Sequence, residues 1–332
     1  MRALVLGGTG HIGAHIVRAL LARGLEVRAT YRNPRYRFVV ESLPIELVEA
    51  DISRADDVRR AVDGCDVIVH AAGYYPRWTE RRADAITRGI QQIRTVFDVL
   101  RERPPARIVF VTSAATIASL PDRCATEADR EPWPSTEPLY ATVKIAMERE
   151  VERYATEHGL PVVFIHPSVC LGEFDAHSFS GRLILLYATG RMPAYIDHAF
   201  NAIYTGDVAQ ACAAATQLGR VGEHYLASAH NVTLEQFARA VAAQAGVVPP
   251  RWRLPRPIVA AIGTFAEVAA ALTRTEPMVS RRSLVPPDGA RHWLDSSKAQ
   301  RELRMPTTPL DETIARSLAW FREHGYAPRA RQ

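Results

Sequence analysis

Gly7, Gly10 and Gly13 form a G-x-x-G-x-x-G run between a short apolar stretch, Ala3 to Leu6, and a stretch with helical apolar spacing, Ile12 to Leu21. A strand that ends in such a loop must turn tightly into the following helix. The missing Cβ atoms let the backbone come close to a pyrophosphate. The helix start then offers unbonded N–H groups and the positive end of its dipole to the phosphates. A glycine triplet alone is equally a plain strand–helix turn. Here it opens a strand–helix–strand unit, the context that points to a dinucleotide.

Beyond the loop the chain alternates. Strand-like runs at Glu26 to Thr30, Glu46 to Ala50, Val67 to Ala71, Arg107 to Thr112 and Val162 to His166 are separated by helical patterns, the clearest at Thr87 to Leu100 and Leu139 to His158. Strands that are apolar at nearly every position are covered on both faces. That calls for a parallel sheet, and right-handed crossovers make it doubly wound. The predicted fold class is α/β, a doubly wound parallel (Rossmann) sheet. After Gly172 the rhythm breaks. Helical patterns follow at Asp207 to Gln217, Leu234 to Ala245, Ile258 to Leu272 and Leu310 to Glu323, with a strand candidate at Glu223 to Ala227. Pro249, Pro250, Pro255 and Pro257 read as a stiff connector. The expected organisation is a dinucleotide-binding domain over residues 1–170, to which parts of 200–230 return, and a smaller C-terminal substrate-binding domain over most of 171–332.

Composition removes several classes. The chain has 332 residues, 47% of them hydrophobic, which is enough for a large core. Its 41 basic and 36 acidic residues leave a formal charge of +5, a mild excess with no basic run that would track a nucleic-acid backbone. No nucleic-acid partner is expected. Cys65, Cys124, Cys170 and Cys212 make no C-x-x-C pair, and no Cys/His cluster has zinc spacing. No metal is expected, His177 and His198 included, and reduced thiols suit a cytoplasmic location. The N-terminus enters a strand pattern at Arg2 without an apolar leader, and Ile258 to Leu272 is short for a membrane span. That stretch reads as a buried or surface-docked helix, so no stable membrane insertion is expected.

A fold that binds NAD usually carries Asp or Glu at the tip of its second strand, where it holds the ribose hydroxyls. This chain has Ala29-Thr30-Tyr31-Arg32 there. A guanidinium pairs with a 2′-phosphate through two parallel hydrogen bonds, so Arg32 favours NADP(H) over NAD(H) as the cofactor. Arg28, Arg35 and Arg37 are expected to add positive potential nearby. Asp51, after the third strand, either accepts from the adenine amino group or caps the next helix.

Tyr140 and Lys144, four residues apart on a predicted helix, share one face. The chain has two lysines, Lys144 and Lys298, so such a pairing by chance is rare. An ammonium beside a phenol is expected to lower its pKa. A phenol so placed can give a proton to a carbonyl oxygen or take one from an alcohol, and the lysine can also hold a nicotinamide ribose. Ser113 ends the fifth strand, where ligands of open α/β sheets sit, and its hydroxyl can hold the substrate oxygen. The plain alternative is a turn serine, with Thr112 as the fallback.

Taken together, Gly7 to Gly13, Asp51, His70-Ala71-Ala72-Gly73, Ser113 and Tyr140-x-x-x-Lys144 resemble the extended short-chain dehydrogenase/reductase superfamily, also called the NAD-dependent epimerase/dehydratase family. The likeness runs over most of the chain. It is similar to the dihydroflavonol-reductase-like branch and to the hopanoid-associated sugar epimerase group within it. Ala29-Thr30-Tyr31-Arg32-Asn33-Pro34 and Arg107-Ile108-Val109-Phe110 with Ser113-Ala114-Ala115-Thr116 resemble the reductases. Arg191-Met192-Pro193-Ala194-Tyr195, Asp207-Val208-Ala209 and Ser297-Lys298-Ala299-x-x-Glu302-Leu303 resemble the hopanoid-associated group. The resemblance implies a catalytic triad of Ser113, Tyr140 and Lys144. It implies a cofactor site of Gly7, Thr9, Gly10, His11, Ile12, Gly13, Arg32, Asp51, Ile52, Ala71, Ala72 and Gly73 with Tyr140 and Lys144, and a segment His166, Pro167, Ser168 and Val169 that passes beside the nicotinamide. It also implies a seven-stranded sheet and a homodimer formed through a four-helix bundle. Two segments depart from the family pattern. Ile86-Thr87-Arg88-Gly89-Ile90 lacks the Asn that often supports the catalytic Tyr, and His166-Pro167-Ser168-Val169-Cys170-Leu171-Gly172-Glu173 lacks the Asn frequent in the sugar-nucleotide enzymes.

Three functions stay open on these residues. The leading one is reversible, NADP(H)-dependent reduction of a small-molecule ketone or aldehyde to an alcohol. The others are a nucleotide-sugar epimerase or dehydratase with tightly held NAD, and a dinucleotide-binding protein without catalysis. Tyr74, Tyr75, Trp78, Phe174, Phe179, Tyr187, Tyr195 and Phe200 either line an apolar substrate pocket or belong to the core.

Overall fold

The computed structural model describes the whole chain except Trp78, Pro134, Thr136, Glu137 and residues 177–179, 274–290 and 328–332. Elements alternate as the pattern predicts: β1 (Arg2–Leu6), α1 (His11–Ala22), β2 (Glu26–Tyr31), β3 (Glu46–Glu49), α2 (Ala55–Val62), β4 (Val67–His70), α3 (Arg82–Glu102), β5 (Arg107–Val111), α4 (Leu139–His158) and β6 (Val162–Pro167). Then follow β7 (Val169–Leu171), α5 (Arg182–Ala188), β8 (Ala194–Tyr195), β9 (Ala199–Tyr204), α6 (Thr205–Ala215), β10 (His224–Ala227), β11 (His230–Thr233), α7 (Leu234–Ala245), β12 (Trp252–Arg253), α8 (Arg256–Thr273), α9 (Ser297–Glu302) and α10 (Leu310–Glu323).

Seven strands form one sheet in the order β10-β6-β5-β4-β1-β2-β3, and every pairing in it is parallel. The winding direction reverses between β1 and β4, which opens a crevice at the carboxyl ends of those strands. Alternation along β1 shows how both faces are filled. Ala3 and Val5 join the core on the α1 and α6 side, while Leu4 and Leu6 join the core under α2, α3 and α4. Strand 224–227 and the helix before it belong to this layered body, with β10 paired to β6 and α6 packed on α1.

The rest of the second half is built on smaller sheets, β7-β9-β11 and β8-β12. A capping box between Thr233 and Gln236 starts α7. Two expectations shift here. α3 begins at Arg82, five residues ahead of the apolar pattern, because its first turn alternates charged residues with small alanines and so gives a weak apolar signal, although Ala85 is buried. The proline connector contains a short strand, β12, that pairs with β8. On α8, Val259 is buried while Ile258, Ile262 and Phe265 are exposed. No helix among the described residues is long and apolar enough to cross a membrane.

Candidate active site

At the end of β1 the chain turns through Gly7 with φ of 83°, a conformation costly for any residue with a side chain. The Gly7 N–H donates to Thr30 Oγ1 at 3.0 Å and the Gly8 N–H to the Thr30 carbonyl at 2.9 Å, so Thr30 latches the loop to β2. A Cβ on Gly13 would stand 2.1 Å from the Gly7 carbonyl oxygen. The start of α1 is therefore pressed directly onto the loop. Gly10 is the N-cap, and the first turn holds no acidic side chain. Its leading N–H groups have no acceptor within the helix. Thr9 is buried, Ile12 packs partly buried on the core, and His11 Nε2 bonds Thr205 Oγ1 at 2.9 Å, tying the loop to α6. A cradle of bare backbone facing a helix start fits a dinucleotide pyrophosphate.

Beyond the tip of β2 lies a cleft of about 300 Å³ lined by Arg32, Asp51, Ser53, Tyr74, Arg88, Gln91, Gln92 and Thr95. Arg32 is exposed at its mouth. Asp51 Oδ1 accepts from the Ser53 N–H at 2.9 Å and the Ser53 hydroxyl at 2.8 Å, so it shapes the turn into α2 while also lining the cleft. Ile52 is buried in the core under α2. Arg28 does not supply potential to this site. It is buried, with Nε donating to Glu46 at 2.9 Å and Nη1 to the carbonyls of Ala61 at 2.8 Å and Asp63 at 2.7 Å. Strand alternation aims it at the end of α2, where it satisfies carbonyls left open by the helix. Arg37 lies over the Tyr31 ring at 5.1 Å and Arg35 near the Tyr36 ring at 6.0 Å.

The third part of the crevice is built by α4. Tyr140 sits in its first turn and donates to Ser113 Oγ at 3.3 Å. Ser113 follows β5 and also accepts the Ala115 N–H at 3.2 Å, so the turn role and the contact with Tyr140 coexist. Thr112 points to the other side and donates to Glu148 at 2.6 Å, which rules it out as the substrate-facing hydroxyl. Lys144 lies one turn on, with Nζ 4.8 Å from the Tyr75 ring centroid and 5.7 Å from that of Tyr140. A Cβ on Gly73 would fall 2.6 Å from Nζ, and one on Gly7 would fall 3.0 Å from Ala72. Ala71 donates its N–H to the Leu6 carbonyl at 3.0 Å. The segment 71–73 thus bridges the glycine loop and the lysine. Pro167 closes β6, Ser168 donates its N–H to the Ala227 carbonyl at 2.9 Å, its buried Oγ has no hydrogen-bond partner among the described residues, and Val169 opens β7.

The electrostatics correct one expectation. Lys144 does not draw the Tyr140 phenol down. Burial pushes its pKa above 10, against the hydroxyls of Ser113 and Tyr75, which pull it back. The ammonium stands 5.7 Å from the ring centroid, and desolvation of a phenolate outweighs it. Lys144 itself is lowered to about 8 by burial, with Glu148 opposing. Tyr140 is therefore a neutral hydroxyl at pH 7, a donor.

Of the aromatic candidates, Tyr75 belongs to the site. It stacks on Tyr140 at 5.6 Å and 21°, and its hydroxyl bonds that of Tyr140. Tyr74 bonds Glu80, and Tyr195 bonds Glu235. Tyr187 and Phe200 are core, and Phe174 packs on His15, Arg18 and Trp320. Sequence spacing cannot separate these cases, because an aromatic ring serves a core and a pocket equally well. Trp78, His177 and Phe179 lie outside the described residues. The family's Asn-bearing helix turn is replaced by close packing, with Gly89 against Val143 and Met147 of α4. Glu148, buried beside His166, was not among the expected site residues. The regular spacing Tyr140, Lys144, Glu148 was the available signal.

The model of the NAD dependent epimerase/dehydratase family matches residues 3–228. The chain is 29% identical to sterol demethylase protein B of Methylococcus capsulatus, over 98% of this chain and 99% of that protein. It is 26% identical to dihydroflavonol 4-reductase of Zea mays, over 71% of this chain and 72% of that one. The crystal structure of a nucleoside-diphosphate-sugar epimerase from Pseudomonas aeruginosa superposes with a TM-score of 0.79 at 26% identity, covering 99% of both chains.

Proposed function

Because the chain belongs to the NAD dependent epimerase/dehydratase family, we propose that it is an NADP(H)-dependent reductase of a small-molecule ketone or aldehyde, acting reversibly on the corresponding alcohol. The observation that carries this reading is the Tyr140 hydroxyl, neutral by burial and bonded to Ser113 Oγ at 3.3 Å beside Lys144. When bound, the nicotinamide supplies the hydride. Tyr140 gives its proton to the substrate oxygen as charge develops there, and Ser113 donates a hydrogen bond that orients that oxygen. Lys144 holds ribose hydroxyls. Backbone N–H groups of residues 9–13 hold the pyrophosphate, and Arg32 holds the 2′-phosphate.

The same group serves both directions, its phenol as the acid in reduction and its phenolate as the base in oxidation. The relative named as a dihydroflavonol 4-reductase supports the same reaction class. Titration with NADPH and NADH, then a carbonyl panel read by the oxidation of NADPH, tests the reading. NADPH consumption in proportion to carbonyl supports it. Tightly held NAD that copurifies, with no net consumption, points to epimerisation instead.

Two further outcomes are expected. Arg32→Ala weakens NADPH binding by about ten- to a hundredfold, the value of a charged hydrogen-bond pair, and leaves NADH binding unchanged. Equal loss for both cofactors in a fluorescence titration removes Arg32 as the selector. The pH–rate profile has an alkaline limb near the Lys144 value of about 8. The ammonium is present below that pH and lost as pH rises through it, so kcat falls on the alkaline side. A flat profile to pH 10 excludes a lowered Lys144 whose charge the reaction needs, since an unshifted lysine stays an ammonium up to about 10.4.

A further inference from the structure

Along α4, Tyr140, Lys144, Glu148 and Glu152 recur at four-residue spacing, so the polar side of the helix continues past the catalytic pair. Glu148 is 1% exposed. Its Oε2 accepts from Thr112 Oγ1 at 2.6 Å and its Oε1 from Arg130 Nη2 at 2.8 Å. Thr112 is the residue before Ser113, so this carboxylate grips the end of the strand that carries the substrate-orienting hydroxyl.

A chain of hydrogen bonds reaches the same point from the other side. The Thr116 hydroxyl donates to the Ser113 carbonyl at 2.9 Å. Its single proton is thereby used, so the contact with His166 Nδ1 at 3.0 Å is a donation from the imidazole. His166 Nε2 then accepts from His224 Nδ1 at 2.8 Å. Burial holds His166 well below the ordinary histidine value, which agrees with this neutral tautomer. Glu148, His166 and His224 stand close enough to resemble a cation site. Arg130 already supplies the positive charge there, since it pairs with both Glu148 and Glu152 and faces His224 Nε2 at 3.4 Å.

Each titratable or charged neighbour has a definite part. Lys144 is faced by the rings of Tyr140 and Tyr75, by His70 of β4, which burial keeps neutral, and by Glu148. Among the described residues, Glu148 is the carboxylate whose charge favours the ammonium. Glu148 in turn is faced by Thr112 of β5, Arg130, His166 of β6, His224 of β10, and Lys144 and Glu152 of its own helix. Burial pushes its carboxyl up, while Thr112, Arg130 and His224 pull it back.

We propose that Glu148 is a positioning residue of the hydride-transfer site: buried one helical turn along α4 from Lys144, it sets a carboxylate beside the turn that carries the ammonium, and its bond to Thr112 anchors the strand end that bears Ser113. The inference rests on the reading of Tyr140 and Lys144 as the proton-transfer pair. Lys144 and Lys298 are the two lysines of the chain. Lysine labelled with ¹³C at Cε therefore gives two NMR signals, and Lys298→Arg assigns them.

In the intact enzyme the Lys144 signal is expected to titrate near 8. In Glu148→Gln it titrates about one unit lower, a tenfold smaller charged fraction above that pH, while Lys298 does not move. Glu148→Asp restores most of the shift, and Thr112→Val moves Lys144 in the same direction by less. The alkaline limb of kcat follows the NMR value in each variant. An unmoved Lys144 in Glu148→Gln overturns the proposal, as does an equal shift in the Asp and Gln variants, which would mark a packing effect. Should the Glu148 variants fail to fold, an unmoved Lys144 in Thr112→Val overturns it. A shifted Lys144 in a protein that turns over no carbonyl defeats the reductase reading and leaves the Glu148–Lys144 pair standing.

Discussion

Tyr140→Phe is expected to lower carbonyl turnover by about two to four orders of magnitude, the usual value of a positioned general acid, while NADPH affinity stays nearly unchanged. The ring is what packs. It stacks on Tyr75 and shares the Lys144 ammonium with it, and a phenylalanine keeps both contacts. The hydroxyl alone meets Ser113, and Ser113 Oγ retains the Ala115 N–H when it is removed. The loss to stability is then about 2 kcal/mol, two hydrogen bonds, one to Ser113 and one with the Tyr75 hydroxyl. Single-turnover oxidation of NADPH isolates the chemical step, and a fluorescence titration reports binding. Loss of rate with binding intact supports Tyr140 as the acid. Full turnover by the phenylalanine variant ends that assignment. Ser113→Ala should cost less in rate, because it removes an orienting bond and leaves the proton donor in place.

How far the sequence carries depends on whether a property is local. The glycine loop was legible because a tight turn, a close backbone approach and a helix start each demand a residue type at a set spacing. The sheet was legible because Ala3, Val5, Leu4 and Leu6 are apolar on both faces, and only a covered parallel strand tolerates that. Tyr140 and Lys144 were legible because helix geometry puts residues four apart on one side. What failed was long-range. Arg28 reads as part of a basic cluster, yet its side chain closes the end of α2 from across the sheet. The direction of the Tyr140 shift depends on how deeply its oxygen is buried and on how close the ammonium stands, neither of which spacing encodes. Tyr187 and Phe200 resemble Tyr75 in composition and differ only in what folds over them. Thr112 and Ser113 are neighbours at a strand end, and alternation sends one to Glu148 and the other to Tyr140.

Gly13→Ala is expected to weaken NADPH binding by more than about a hundredfold, the loss of roughly 3 kcal/mol, with the helix content retained. Helix propensity points the other way, since alanine is better than glycine inside a helix by about 1 kcal/mol. Geometry decides the sign. The added Cβ would lie 2.1 Å from the Gly7 oxygen, 2.9 Å from the Gly7 carbonyl carbon and 3.0 Å from the Gly8 Cα. All three are backbone atoms, so no side-chain rotation relieves the overlap. Gly7 cannot retreat easily, because Thr30 holds its N–H and Ala72 backs it at 3.0 Å from where its own Cβ would be. The loop and the start of α1 must separate, and the N–H groups that face the pyrophosphate lose their common focus. Gly10→Ala provides the control. Its nearest obstacle is the same oxygen at 3.3 Å, a displacement of a few tenths of an ångström, and binding should fall less than about tenfold. Circular dichroism confirms that both variants fold, and fluorescence titration ranks them. If Gly13→Ala binds NADPH as tightly as the parent, the loop does not hold the phosphates, and the cofactor reading fails with it.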